Sequence, residues 1–179
     1  AIAPAVVGVT ANYFFSERLG LLYGFFNDLW GFNWMENVSD AYIYVIFAGC
    51  WKQISANFIF FLAGLQNIEK SVIEASSIDC KSSFRRFWTV TFPLLMPTTF
   101  FLIIINITYA FFETLGIIDT TTIGAPSGET KTLVYKAYID GFKGLDLGSA
   151  GAQSIIMLII VLVITIFQFR FIEGKVHYN

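Results

Sequence analysis

Charge is what this sequence is short of. Only 13% of its 179 residues are Asp, Glu, Lys or Arg, against about 25% in an ordinary soluble domain. With 56% hydrophobic residues and twenty Phe, the shortage excludes a chain that solvates its whole surface and indicates an integral membrane protein. Histidine occurs once, at His177, with no carboxylate at motif spacing. No paired-acid metal motif and no Gly-x-Ser-x-Gly element accompanies it, which argues against an integral membrane enzyme. The two cysteines, Cys50 and Cys80, give neither a disulfide framework nor a metal-binding spacing. A net charge of −2 gives no sign of nucleic-acid binding. No basic n-region or cleavage site opens the chain. It starts Ala1-Ile2-Ala3-Pro4, already apolar, and is read as beginning inside or just before a membrane helix.

What is present is four apolar segments. They run over Ala1–Phe15, about Ala41–Leu65, about Leu94–Phe112 and about Ala150–Phe171. The first is short for a span, which needs about 20 apolar residues. Lipid requires each backbone polar group to be satisfied within its own segment, so these runs are expected to be helical. The expected fold is an all-α polytopic membrane bundle with about four spans. Lys70, Lys81, Arg85 and Arg86 lie in one loop, and Arg170 and Lys175 in the C-terminal tail. The remaining loops hold Glu17, Asp28, Glu36, Asp40, Glu113, Asp119, Glu129, Asp140 and Asp146. The positive-inside rule puts the basic loop and the C-terminus in the cytoplasm. Between Leu19 and Trp34, an interfacial turn with Trp30 and Trp34 at headgroup depth is expected. Thr132–Phe142 reads as a short amphipathic helix with Leu133, Ala137 and Tyr138 on one face.

The basic loop carries the most information. Asn67 can cap a helix from Ile68, with Ile68, Val72, Ala75 and Ile78 as its apolar face. A second short helix can start from Ser82 or Ser83, with Phe84, Phe87 and Trp88 on one side and Arg85 and Arg86 on the other. Pro93 and Pro97 then break the pattern.

This loop resembles the EAA loop of the permease subunits of ATP-binding cassette importers. The pattern stands here as Glu74-Ala75-Ser76, Asp79-Cys80-Lys81, Phe87 and Phe92-Pro93, with Cys80 where the family has glycine. The likeness continues through Trp51-Lys-Gln-Ile-Ser-Ala-Asn-Phe58, Tyr109-Ala-Phe-Phe112, Thr132-Leu-Val-Tyr-Lys-Ala-Tyr138, Gly141-Phe-Lys-Gly-Leu-Asp-Leu147 and Gln168-Phe-Arg-Phe-Ile-Glu173. Gly124-Ala125-Pro126 stands where sugar-importer permeases have Gly-Gly-Pro. Across nearly the whole chain the pattern is similar to permeases of sn-glycerol-3-phosphate importers.

The resemblance implies a type I importer transmembrane domain over residues 1–179, incomplete at its N-terminal side, with the coupling loop at residues 67–92. Glu74, Ala75, Asp79 and Cys80 would then meet an ATPase subunit. It also implies two ATP-binding cassette subunits that bind ATP and Mg, a second permease subunit and an extracytoplasmic binding protein, all in a bacterial inner membrane. The chain itself has no phosphate-cradling Gly-Lys-Ser/Thr loop, so no cofactor is expected in it. Its role would be to move sn-glycerol-3-phosphate, or a related polyol or sugar, by alternating access.

Polar groups at membrane depth are the candidates for the substrate path. These are Lys52, Asn57, Asn106, Tyr109 and Gln153. Lys52 could attract a phosphate monoester, snorkel to the interface or pair with an acid on another helix. The amides and the phenol could bind substrate hydroxyls or join helices to each other. Glu113 and Asp119 read as solvated loop acids. A secondary transporter would need a coupling-ion site within the spans, and the few acids there argue against one.

Overall fold

The computed structural model describes residues 3–17, 20–80 and 82–172. Among them, every regular element is helical. In chain order these are α1 (Pro4–Phe14), α2 (Leu21–Trp30), α3 (Val38–Gln66), α4 (Lys70–Asp79) and α5 (Ser83–Arg86). A π-helical turn at Phe87–Thr91 leads to α6 (Phe92–Leu94), α7 (Met96–Phe112), α8 (Leu115–Thr120) and α9 (Leu133–Tyr138). A second π turn, Ile139–Lys143, precedes α10 (Leu147–Ile172).

Helix length decides which segments can cross a bilayer. The 29 residues of α3 reach about 43 Å at 1.5 Å per residue, more than the ~30 Å hydrocarbon core. Two helices, Val38–Gln66 and Leu147–Arg170, are long and apolar enough to span. Ser83–Leu94 and Met96–Phe112, bent by 68° at their junction, make a third if the pair is one span. The expected four spans therefore become two or three among the described residues. The difference lies in α1, whose 11 residues cover only about 16 Å. The bend falls where Pro93 and Pro97 interrupt the helical hydrogen bonds, as their missing N–H groups require.

The chain divides into two compact units. The first comprises Ala1–Gln53 and Ile107–Val163. Here α1 lies against α8 so closely that a methyl on Gly8 would overlap the Thr120 side chain. Asn12 fastens the contact. Its Nδ2 donates to the Thr120 carbonyl at 2.7 Å, and its Oδ1 accepts from the Tyr44 hydroxyl at 3.1 Å. Ala41, Tyr44 and Ala48 recur at helical spacing on the buried face of α3, packed with Val7, Ala11, Phe15 and Ile117. The Phe15 and Tyr44 ring centroids are 4.9 Å apart. Trp34 is buried, and its indole N–H donates to the Phe15 carbonyl at 3.1 Å. Trp30 is 75% exposed. A left-handed Gly31 (φ 66°) ends α2, a conformation that costs residues with a Cβ about 1–2 kcal/mol. The helix expected over Thr132–Phe142 is present as α9 and its π turn, but its buried side chain is Tyr135. The face named from spacing, Leu133, Ala137 and Tyr138, is only partly covered.

The second unit comprises Ile54–Asn106 and Ile164–Asn179. Glycine again permits a close crossing. A Cβ on Gly64 would come within 2.8 Å of Thr98 Oγ1. Phe60 meets Phe101 edge to face at 5.4 Å, and Phe100 meets Phe169 at 5.4 Å. The helix expected from Ile68 begins two residues later, at Lys70, with Glu69 rather than Asn67 at its cap and no side-chain capping bond. The Glu69 carboxylate instead accepts from the Ser71 hydroxyl at 3.1 Å.

Candidate functional site

Two sets of residues carry function candidates: the charged segment of the second unit, and polar side chains on the long helices.

In the charged segment, α4 turns its apolar stripe outward. Val72 is 38% and Ile78 83% exposed, and Ala75 is exposed as well. Ser76 faces inward, 7% exposed, with its hydroxyl bonded to the Ile73 carbonyl at 2.8 Å. Of the expected apolar face, Val72, Ala75 and Ile78 lie uncovered on α4, while Ile68 falls before its start and is half-buried. Glu74 is exposed. The Asp79 side chain and Lys81 lie outside the described residues. Cys80 ends α4 with φ −119° and ψ 100°, extended backbone, and its N–H donates to the Ser76 carbonyl at 3.0 Å. Extended backbone suits any L-residue. Cysteine at the family's glycine position therefore carries no left-handed strain here. Beyond it, Ser82 holds the cap position of α5 without a side-chain bond. Phe84, Phe87 and Trp88 are 75%, 40% and 51% exposed. Trp88 lies 5.3 Å from the Phe87 ring and 5.0 Å from that of Phe92. The segment thus presents an aromatic knob flanked by Arg85 and Arg86, next to a bare aliphatic helix face.

On the long helices, the structure places the sequence candidates as follows. In the first unit, the Lys52 ammonium sits 4.0 Å from the Tyr109 ring centroid, a cation–π distance. The Tyr109 hydroxyl is buried without a hydrogen-bond partner, which is costly in a low-dielectric setting. Also in this unit, Gln153 donates through Nε2 to Asp140 Oδ2 at 2.5 Å and to the Ser149 hydroxyl at 3.0 Å, while its Oε1 is buried without a partner. In the second unit, Asn57 and Asn106 bond to each other, with Nδ2 of Asn106 donating at 2.8 Å and Nδ2 of Asn57 at 3.3 Å.

Sequence reading missed the hub around Asp140. Its carboxylate accepts from Lys136 at 2.8 Å as well as from Gln153, and Ser149 lies 3.4 Å away. The Lys136 bond, then the Gln153 bond, hold the Asp140 carboxyl below the usual carboxylate range. Lys136 and Asp140 are four apart, a spacing that could have suggested the pair. The partner on α10 had no such signal. Asp119 likewise is more than a solvated acid. It accepts from the Tyr135 hydroxyl at 3.2 Å and lies 3.8 Å from the Lys143 ammonium. Burial, followed by the bond to Asp119, pushes the Tyr135 phenol above its ordinary range.

The family model described as binding-protein-dependent transport system inner membrane component matches residues 1–177. The chain belongs to this family. As an inner membrane component it is similar to the sn-glycerol-3-phosphate transport system permease protein UgpA of Rhizobium meliloti (strain 1021), with 52% identity over 181 residues covering all of this chain and 61% of that protein. Identity to the protein of the same name from Agrobacterium fabrum (strain C58 / ATCC 33970) is 51%, and to that from Escherichia coli O6:K15:H31 (strain 536 / UPEC) 46%, with the same coverage. The chain spans about three fifths of the length of these curated relatives. For this inner membrane component the exposed charged segment and the apolar helices are the parts to be explained together.

Proposed function

We propose that this chain is the permease part of an ATP-driven importer for sn-glycerol-3-phosphate, and that α4 and α5 are where partner ATPase subunits drive it. The observation that carries this reading is the uncovered face of α4–α5. A segment rich in exposed Ile, Phe and Trp and flanked by arginines would be a liability in water. A cleft on a partner would cover it. The chain contains no phosphate-cradling motif, so ATP and Mg would be bound by two separate cassette subunits. A second permease subunit and an external binding protein would complete the complex. The basic loop and the C-terminus would be cytoplasmic by the positive-inside rule, and the acid-bearing loops would face outward. The substrate in the relatives' names supports the choice of sn-glycerol-3-phosphate.

The geometry of the joint supports an alternating-access reading. A push on α4–α5 reaches the bent junction before α7, where Pro93 and Pro97 leave the helix easier to flex. Along the substrate path, Lys52 supplies the cation for a phosphate monoester, and the unsatisfied Tyr109 hydroxyl supplies a hydrogen-bonding group beside it. Gln153, held by Asp140, offers its Oε1 to a substrate hydroxyl. The mutual bonds of Asn57 and Asn106 support a helix-joining role for that pair.

The test is Glu74→Lys in the complete transporter. Reversing this exposed charge leaves the packing of both units untouched, so assembly and protein level are expected to persist. Uptake should fall by about five- to 150-fold, the effect of a coupling free energy of 1–3 kcal/mol, while ATP hydrolysis continues. Full uptake by the variant would remove α4 from the coupling role.

A further inference from the structure

Beside the buried core of the first unit runs an apolar groove of about 280 Å³, walled by Phe26, Trp30 and Phe32 on one side and by Ile43, Tyr44 and Phe47 of α3 on the other, with Asp40 at one end. On α3 the lining residues Asp40, Ile43, Tyr44 and Phe47 follow one helical face, a strip about 10 Å long. The strip is amphiphilic along its length: one carboxylate, then only apolar and aromatic groups. The Asp40 carboxylate is held in place by the Asn33 N–H, which donates to Oδ2 at 2.9 Å. Among the described residues lining the groove, Asp40 is the charged one.

α3 exceeds the hydrocarbon thickness by about 13 Å, which leaves room for its first turn to stand outside the hydrocarbon, and Ile43 and Phe47 follow Asp40 along the helix. Trp30, 75% exposed at the groove mouth, has the amphipathic ring that favours a membrane interface.

We propose that this groove binds one phospholipid with a cationic ammonium headgroup, of the phosphatidylethanolamine class. The ammonium pairs with Asp40, and an acyl chain lies between the α2 aromatics and α3. An anionic lipid such as phosphatidylglycerol meets the Asp40 carboxylate and is disfavoured. The lipid shields Phe26, Phe32 and Phe47 and fixes α2 to the first spanning helix.

The complete transporter, reconstituted with lipids brominated on the acyl chains, reads this directly through Trp30 fluorescence, taken as the difference between the native protein and Trp30→Phe. Brominated phosphatidylethanolamine is expected to quench that signal at a roughly three- to fivefold lower fraction than brominated phosphatidylglycerol, the worth of one partly exposed ion pair. Asp40→Asn keeps an oxygen for the Asn33 N–H and should erase the preference while leaving quenching itself. Absence of quenching by either lipid would mean that protein covers the groove, and would overturn the proposal. Equal quenching by both lipids in the native protein, or a preference that survives in Asp40→Asn, would overturn it as well.

Discussion

Lys52 is the residue whose setting most narrows what it can do. Its ammonium lies over the Tyr109 ring, on a helix long enough to cross the membrane. A cation at that depth is costly unless it is stabilised, and the ring face supplies part of that stabilisation. A phosphate would supply more, because a charge-assisted hydrogen bond is about twice as strong as a neutral one. Lys52→Gln is therefore expected to raise the KM for sn-glycerol-3-phosphate by roughly ten- to a hundredfold, from the 1.5–3 kcal/mol of a hydrogen bond to a charged group. The basal ATPase rate of the complete transporter should not change. Uptake kinetics in proteoliposomes check this, and an unaltered KM would remove Lys52 from the substrate path. Lys52 and Tyr109 stood out in the sequence because polar groups are rare in apolar runs. Their pairing did not, because they lie 57 positions apart, and nothing in periodicity links one helix to another. The same holds for Asn57 with Asn106 and for Asp140 with Gln153. Each residue was visible, and its partner was not. Cys80 stands where the family has glycine, and the extended backbone there suits a residue with a Cβ.

At the scale of the element, the long helices were the most legible part. Apolar length specifies α3 and α10 to within a few residues, since lipid leaves a long apolar run no other backbone state. Short elements were less so. The first apolar segment forms α1, an 11-residue helix held against α8, a contact that its sequence did not foretell. What decides its place is Gly8, whose missing Cβ admits the Thr120 side chain. Gly8→Ala should therefore destabilise the first unit by about 1–3 kcal/mol, the usual cost of overpacking. Thermal unfolding in detergent would read this as a lower midpoint. An unchanged midpoint would mean that α1 can shift away from α8 at no cost. The start of α4 was mispredicted for a related reason. Asn67 has the right chemistry for a cap, but the chain leaves α3 only at Gln66 and needs three more residues to turn.

At the scale of the whole molecule, the account joins two features that the sequence keeps apart: apolar helices that belong in lipid, and a charged segment whose apolar face nothing in the chain covers. The proposed function accounts for the pair, because partner subunits would cover the exposed face of the charged segment while lipid surrounds the helices. The central claim is the substrate and its energy source. Uptake by the complete complex in proteoliposomes, with ATP enclosed and the external binding protein present, tests both at once. sn-Glycerol-3-phosphate should accumulate against its gradient, dependent on ATP, at least about a hundredfold faster than maltose or free glycerol, the margin expected when a built charge site loses its ligand's phosphate. ATP-independent equilibration, or equal rates for glycerol and its phosphate, would contradict the account.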